Sequence, residues 1–164
     1  MIVKGKSGPV NVELTYFEDD KYYRAEALDE KGQVLGYVTF GKHHYSPSGM
    51  WLFRIETLGS AQRNKGIGDA LLSVAEYTTV LTRKNMLEGN FNPQNHPDEN
   101  GQIDEKMDVR HFYEKRGFSI YKEDYDTLVG KTYMSKEDRD AVLEGIGSRI
   151  TGYDVRHIEK ENQM

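Results

Sequence analysis

The segment Gln62-Arg63-Asn64-Lys65-Gly66-Ile67-Gly68 places two glycines and two cations at the junction between a predicted strand and a predicted helix. Glycine at 66 and 68 lacks a Cβ atom, so the backbone there can approach a ligand closely. The following helix presents unpaired N–H groups and the positive end of its dipole at the same place. Arg63 and Lys65 oppose that dipole unless an anion lies beside them. The pattern indicates a site for a diphosphate-bearing ligand.

Other phosphate motifs do not fit this segment. A P-loop needs Gly-x-x-x-x-Gly-Lys-Ser/Thr, and a dinucleotide fold needs Gly-x-Gly-x-x-Gly followed by an acidic residue. Neither pattern occurs in the sequence. The alternative is that Gly66 and Gly68 only make a tight turn between a strand and a helix.

The predicted elements that position this junction describe a mixed α/β architecture. Short turns at 18–20 and 29–32 make the strands on either side antiparallel neighbours. Apolar residues at Ile67, Leu71, Val74, Ala75 and Thr78 share one helical face. Strands are predicted at residues 10–17, 21–28, 34–40, 50–58, 86–91, 118–121 and 128–134, and helices at 69–81, 108–115 and 135–146. Residues 92–107 have the composition of a loop.

Length, charge and composition restrict the class of protein. A chain of 164 residues suits one domain, here residues 1–164 with a core at about 10–134 and a C-terminal helix and polar tail at 135–164. The absence of cysteine excludes disulfides and a thiol nucleophile. No signal or membrane-length apolar run occurs, so we expect a soluble, cytoplasmic protein. The net charge of −5 disfavours nucleic acid and anionic membranes as partners.

Two sequence motifs, placed in order among these predicted strands and helices, resemble motifs of the GNAT superfamily of acyl-CoA-dependent N-acetyltransferases. The first is Arg63-x-x-Gly66-x-Gly68, between a strand and an amphipathic helix, and the second is the later segment Phe112-Tyr113-Glu114-Lys115-Arg116-Gly117-Phe118. The resemblance covers residues 34–134. It implies a central, mostly antiparallel sheet with splayed fourth and fifth strands and helices on both faces.

The N-terminal helical region of that fold is abbreviated in this sequence. Many members insert two helices after the first strand, whereas only Glu18-Asp19-Asp20 intervene here. The acceptor side is therefore expected to be open, or covered by a loop, the C-terminal helix or another subunit. A homodimer would follow if a partner chain supplied the missing wall.

The resemblance also implies a binding site for acetyl-CoA. Backbone N–H groups of the first motif would hold the pyrophosphate, and the end of the fourth strand would pair with the pantetheine arm. Among Asn90, Asn92 and Asn95, which follow the fifth strand, one would contact the same arm, and we take Asn92. The implied binding residues are Leu58, Gly59, Ser60, Arg63, Asn64, Lys65, Gly66, Ile67, Gly68 and Asn92.

Two residues are candidates for the chemistry. Tyr113 matches the family tyrosine that attends the leaving thiolate, although a phenol of pKa about 10 is a weaker acid than a thiol of pKa about 8.5. Its alternative role is aromatic packing beside Phe112 and Phe118. Glu56 is the candidate general base, because an amine of pKa about 10.4 is neutral in only about one molecule in 2,500 at pH 7. The alternatives are a surface ion pair between Glu56 and Arg54, and a water chain without a dedicated base.

The function implied is transfer of an acetyl group from acetyl-CoA to a primary amine by direct attack in a ternary complex. The acceptor would be a protein lysine, an N-terminus or a small amine. The alternative is a catalytically silent CoA-binding sensor or interaction module on the same fold. No metal is expected, because His43, His44 and His111 lack suitably spaced partners.

Overall fold

The computed structural model of the protein describes residues 1–58, 66–91, 109–123 and 126–159. The strands are β1 (Ile2–Gly5), β2 (Gly8–Phe17), β3 (Tyr22–Leu28), β4 (Val34–Lys42), β5 (Gly49–Thr57), β6 (Met86–Asn90), β7 (Ser119–Glu123), β8 (Asp126–Thr132), β9 (Ile150–Thr151) and β10 (Arg156–Ile158). The helices are α1 (Ile67–Leu81), α2 (Val109–Glu114) and α3 (Lys136–Gly145), and a 3-10 turn (Gly147–Arg149) follows α3. The predicted loop 92–107 and the predicted N-cap Asp108 lie outside the described residues.

The ten strands formed by the described residues belong to one sheet with the order β7-β8-β6-β5-β4-β3-β2-β1-β9, and β10 pairs with the C-terminal end of β2. Neighbours are antiparallel except for two parallel pairs, β5 with β6 and β10 with β2. The hairpin turns predicted between β2, β3 and β4 are present, because each of these strands pairs antiparallel with the next. The prediction of a mixed α/β fold with a mostly antiparallel sheet is confirmed.

Three strands lie outside the predicted set, namely β1, β9 and β10. They have four, two and three residues, too short for an alternating pattern to be recognised in the sequence. The strands form by pairing along β2 and β1, which supply the hydrogen bonds that the short segments cannot make alone. Residues that were predicted to form a polar tail after α3 therefore extend the sheet up to Ile158.

Helix α1 is buried on more than its predicted face. The predicted positions Ile67, Leu71, Val74, Ala75 and Thr78 are all buried. The opposite side is covered by α3, whose Val142 joins the core, and by the segment after it. There Arg149 donates from Nη2 to Ser73 Oγ at 2.8 Å, and at the predicted-face position Thr78 the Oγ1 atom lies 2.8 Å from the Tyr153 hydroxyl. These partners satisfy polar groups that burial would otherwise destabilise.

The described helices lie on one face of the sheet, whereas the resemblance implied helices on both. Core residues of β2, β3 and β4 point towards α1, α3 packs on α1, and Phe112 of α2 lies against the first turn of α1. The physical reason is the short connection between β2 and β3, since a hairpin turn has no chain to form helices on the other side. We call that other side, within the part of the chain that the structure describes, the open face.

Candidate functional site

Strands β5 and β6 separate part of the way along their length. Parallel pairing runs from Gly49 opposite Met86 to Leu52 opposite Gly89 and then ends, while β5 continues to Thr57 along β4. The register between β4 and β5 shifts at the same level, so that Phe53 is an extra residue, a bulge, on β5. A bulge bends its strand and increases the local twist. The result is a wedge-shaped gap, here called the splay, whose apex lies at Leu52 and Gly89.

The close approach at the apex explains Gly89. A Cβ atom on this residue would lie 2.6 Å from the carbonyl oxygen of Leu52, a distance that real Cβ atoms do not show. Any larger residue would push the two strands apart before the splay begins. The apex is therefore fixed by backbone packing between β5 and β6.

Only alternate residues of β5 direct their backbone N–H and C=O groups into the splay. Leu58 N–H donates to the carbonyl of Leu35 at 2.8 Å, so it points towards β4. Groups on successive residues of an antiparallel strand point to opposite sides. The N–H and C=O groups that face the splay are therefore those of Ile55 and Thr57. The backbone of Leu58, predicted to pair with the pantetheine arm, points towards β4, and Gly59 and Ser60, predicted for the same role, lie outside the described residues.

Helix α1 begins beyond the end of β5 with a glycine cap. Gly66 has a φ of 77°, in the left-handed region that glycine adopts readily, and its carbonyl accepts the first helical hydrogen bond from Ala70 at 3.0 Å. The N–H groups of the first turn, including those of Ile67 and Gly68, have no helical partner. The Ile67 side chain is buried in the core, so only its backbone could meet a ligand. Arg63, Asn64 and Lys65, predicted for the same site, lie outside the described residues.

Gly68 is explained by helix packing. A Cβ atom on Gly68 would lie 3.2 Å from Cε2 of Phe112, so the ring of Phe112 occupies the space that a side chain would need. The prediction gave both glycines the same purpose, close approach to a ligand. In the structure Gly66 provides the left-handed cap, while Gly68 allows α2 to pack against α1. The second motif of the sequence is thereby held against the first.

Asp69 neutralises two arginines beside the first turn of α1. Its Oδ1 accepts from Arg116 Nε at 2.7 Å, and its Oδ2 accepts from Arg149 Nη1 at 3.3 Å. An acidic residue in the first turn is also favourable to the helix dipole. The sequence did not reveal this cluster, because its members lie far apart in the chain.

Tyr113 lies in an aromatic environment at the end of α2. Its ring contacts Phe91, Phe112 and Phe118 edge-on, and the residue is 6% exposed. Burial raises the pKa of Tyr113 to about 12. The phenol is therefore neutral at physiological pH and can act as a hydrogen-bond donor. Phe91 directly follows β6, so Tyr113 stands on the α1 side of the sheet near the end of the strand that borders the splay.

Glu56 lies on the open face of β5 and is already engaged. Its Oε2 is 2.8 Å from Arg54 Nη2 and accepts from the Tyr37 hydroxyl at 3.0 Å. Burial, and secondly the hydrogen bond to Glu56, raise the pKa of Tyr37 above its ordinary value, so this phenol remains a donor. The Glu56 side chain is 39% exposed. The structure thus shows the ion pair with Arg54 that the sequence left open as an alternative.

The remaining polar candidates are distributed as follows. Asn90 is exposed at the end of β6, and Asn92 and Asn95 lie outside the described residues. His44 and His111 are exposed, whereas His43 is buried. Within the described ranges no group of three or more His, Asp or Glu residues could hold a metal ion. No helix in those same ranges is long and apolar enough to cross a membrane.

Comparison with known proteins finds relatives by structure alone. No family model matches the sequence, and no curated protein sequence matches it. A structure from Desulfovibrio desulfuricans assigned to the GNAT family of acetyltransferases is similar to this chain with a TM-score of 0.55 and 20% identity, over 70% of each chain.

Two further structures are similar at lower identity. The PaiA N-acetyltransferase from Thermoplasma acidophilum, solved in complex with coenzyme A, has a TM-score of 0.52 and 18% identity over 69% of this chain and 62% of its own, less than two thirds of its length. Nourseothricin acetyltransferase has a TM-score of 0.54 and 12% identity over 81% of this chain and 86% of its own. The chain therefore has the fold of the GNAT acetyltransferases, as its two motifs predicted.

Proposed function

We propose that the protein is an N-acetyltransferase that transfers an acetyl group from acetyl-CoA to a primary amine. The observation that supports this function best is the splay between β5 and β6, opening beside a helix N-terminus capped by Gly66. A gap bordered by unpaired backbone groups suits an amide-containing arm, and a helix N-terminus suits a diphosphate. Acetyl-CoA carries both groups on one molecule.

The residues present fit this substrate. Among the described strands, none pairs with the N–H and C=O groups of Ile55 and Thr57 that face the splay, and these groups would pair with the amides of the pantetheine arm, since strand edges bind extended chains in this way. The first-turn N–H groups at Ile67 and Gly68 would meet the pyrophosphate, together with Arg63, Asn64 and Lys65 of the preceding segment. Leu58, Gly59, Ser60 and Asn92 remain predicted binding residues, of which the last three lie outside the described residues.

The reaction needs no covalent enzyme intermediate. The neutral amine nitrogen attacks the thioester carbonyl, the C–S bond breaks, CoA leaves as a thiolate, and the nitrogen loses one proton to water as the amide forms. Transfer of a proton from Tyr113, which has a pKa of about 12, to a thiolate whose thiol has a pKa near 8.5 is unfavourable by about 5 kcal/mol. Its role is therefore to donate a hydrogen bond that stabilises the departing sulphur, which takes its proton from solvent.

The open face determines where the acceptor enters. Tyr113 stands on the α1 side, so an amine that approaches from the open face reaches the thioester from the side of the sheet opposite to Tyr113. The described helices leave that face accessible, which favours a bulky acceptor, such as a lysine side chain or the N-terminus of a protein, over a small metabolite. Glu56 is the carboxylate that the sequence predicts as proton acceptor on this face.

The test of the proposed function is steady-state release of free thiol from acetyl-CoA in the presence of lysine-containing peptides, N-terminal peptides and small alkylamines. Multiple turnovers that depend on one of these amines would support the proposal. A wild-type protein that binds acetyl-CoA but transfers nothing would instead be a silent CoA-binding module, and the proposed activity would be wrong.

A further inference from the structure

A second carboxylate, Glu88, lies on the open face at the apex of the splay. Glu88 stands opposite Trp51 in the β5–β6 pairing, one position before the last pair. Its neighbour Leu87 points into the core on the α1 side, so alternation along the strand directs Glu88 to the opposite side. Glu56, by comparison, is four positions beyond Leu52 along β5.

His43 holds this carboxylate in one orientation. Its Nε2 lies 2.9 Å from Glu88 Oε1. Its Nδ1 accepts hydrogen bonds from the backbone N–H groups of Tyr45 and Ser46, each at 3.1 Å. A ring nitrogen that accepts two hydrogen bonds carries no proton, so the proton of the neutral ring is on Nε2 and is donated to Glu88. The indole of Trp51 packs edge-on against the imidazole, with ring centroids 5.1 Å apart.

Burial distinguishes Glu88 from Glu56. The Glu88 side chain is 11% exposed and its partner His43 is 4% exposed, whereas Glu56 is 39% exposed and paired with a cation. No described side-chain oxygen is both fully buried and without a hydrogen-bond partner. Glu88 Oε1 accepts from a neutral donor, and no described residue hydrogen-bonds to Oε2, which can take a proton from a ligand.

Charged and titratable groups near Glu88 come from several elements. The loop between β4 and β5 contributes His43, whose Nε2 lies 2.9 Å from Glu88 Oε1. Strand β7 contributes Tyr121. A Cβ atom placed on Gly130 would lie 3.0 Å from the Tyr121 hydroxyl oxygen and 3.7 Å from Cγ of Glu88, so the two side chains lie on the same side of the sheet, next to Gly130. Gly130 itself adds no side chain between them. No Lys or Arg among the described residues forms an ion pair with Glu88, so no permanent cation neutralises its carboxylate.

We infer that Glu88, oriented by His43, is the general base that removes the proton from the acceptor ammonium group. The inference rests on the proposed function. The Glu88 carboxylate takes one proton from R–NH3⁺ and becomes a neutral acid, and the nitrogen lone pair so released forms the C–N bond. The C–S bonding pair leaves with CoA as thiolate, and the second proton of the attacking nitrogen passes to water as the amide forms. Glu88 then returns its proton to solvent. His43 is a positioning residue, because it acts through Glu88 and does not touch the amine.

The test compares Glu88→Gln with wild type at several pH values, using one amine that the wild type acetylates. Glutamine keeps an oxygen that can accept from His43, so the fold and the local hydrogen bond are retained while the base is lost. Glu13→Gln is the matched control, since Glu13 is an exposed carboxylate on β2 far from the splay. Circular dichroism and the KM for acetyl-CoA check that each variant is folded and binds its substrate.

We expect Glu88→Gln to lower kcat about 100-fold at pH 7, a usual loss for a missing general base, with little change in the KM for acetyl-CoA. The deficit should narrow as the pH rises towards about 10, because a growing fraction of the amine is already neutral. Glu13→Gln should match wild type. A deficit that is constant across pH would indicate a structural role and overturn the inference, as would an unchanged kcat. If wild type acetylates no amine, the proposed function fails and this inference fails with it.

Discussion

Arg116, in the turn after α2, donates from Nε to Oδ1 of Asp69, in the first turn of α1, over 2.7 Å. Arg116 also donates from Nη1 to the carbonyl of Phe112 at 2.7 Å, and its guanidinium lies 4.1 Å from the centroid of the Phe112 ring. The same ring fills the space beside Gly68. One arginine thus ties the second sequence motif to the helix that begins in the first. The position of Tyr113 relative to the start of α1 depends on this connection.

Replacement of Arg116 by lysine should destabilise the protein although the charge is kept. Lysine cannot make the two hydrogen bonds and the ring contact at once, because its ammonium is a single point of charge. We expect a loss of about 1 to 2 kcal/mol in the free energy of unfolding, measured by urea denaturation. Lys115→Arg, the reverse change at the exposed neighbouring residue, should stay within about 0.5 kcal/mol of wild type. Equal effects of the two substitutions would contradict the structural role of Arg116.

Removal of the Tyr113 hydroxyl tests the proposed stabilisation of the leaving group. Tyr113→Phe should lower kcat at least about tenfold and leave acetyl-CoA affinity nearly unchanged, because only the departing thiolate needs the hydrogen bond. The pKa of Tyr113, raised to about 12 by burial, keeps the phenol protonated throughout an ordinary assay range. The reduction should therefore be the same from pH 6 to pH 9. Wild-type turnover by the variant would remove Tyr113 from the chemistry and leave it as a packing residue.

The buried ion pair between Glu76 and Lys131 predicts that the stability of the protein depends on pH. Glu76 of α1 is 4% exposed in its side chain and lies 2.7 Å from Lys131 Nζ of β8, and its Oε1 accepts from the Tyr133 hydroxyl at 2.9 Å. Burial raises the pKa of Glu76, and Lys131 opposes that rise. A raised folded-state pKa means that the contribution of this group to stability is greatest at low pH and is lost as the pH rises through the folded-state value.

Lys131→Met should therefore destabilise the protein more at pH 7 than at pH 5. Without the ammonium group the pKa of Glu76 rises further, and ionising the buried carboxylate costs more. We expect a loss of about 2 kcal/mol at pH 7, less than the roughly 3 to 5 kcal/mol of a fully buried pair, because a quarter of the Lys131 side chain is exposed. Urea denaturation at the two pH values measures it. The double variant with Glu76→Gln should lose the pH dependence; if it keeps the dependence, another group is responsible.

The sequence predicted the elements that have a clear period or a strong turn. Strands β2 to β6 and helix α1 were found with small shifts at their ends, and Ser135 caps α3 as expected, with its Oγ accepting from Asp138 N–H at 3.0 Å. Strands β1, β9 and β10 were not predicted, because they are stabilised by pairing with neighbouring strands and are too short to show an alternation of apolar and polar residues.

The site was harder to predict because its geometry depends on register. A bulge at Phe53 moves the backbone groups that face the splay to Ile55 and Thr57, and no sequence pattern announces that shift. Contacts between residues far apart in the chain, such as His43 with Glu88 and Asp69 with Arg116, were equally hidden. Glycine motifs, by contrast, could be found, because the left-handed φ of Gly66 and the close packing beside Gly68 each favour glycine over other residues.

The most direct test of the account is calorimetric titration of acetyl-CoA into wild type, Gly66→Asn and Gly66→Asp. Asparagine and aspartate have the same size and both tolerate a positive φ, so the two variants differ only in a negative charge at the start of α1. We predict saturable binding by wild type, binding by Gly66→Asn, and at least about tenfold weaker binding by Gly66→Asp, since one lost charge interaction of about 1.4 kcal/mol is a factor of ten. Equal affinities for the two variants would place the pyrophosphate elsewhere, and no binding by folded wild type would contradict the proposed acetyltransferase.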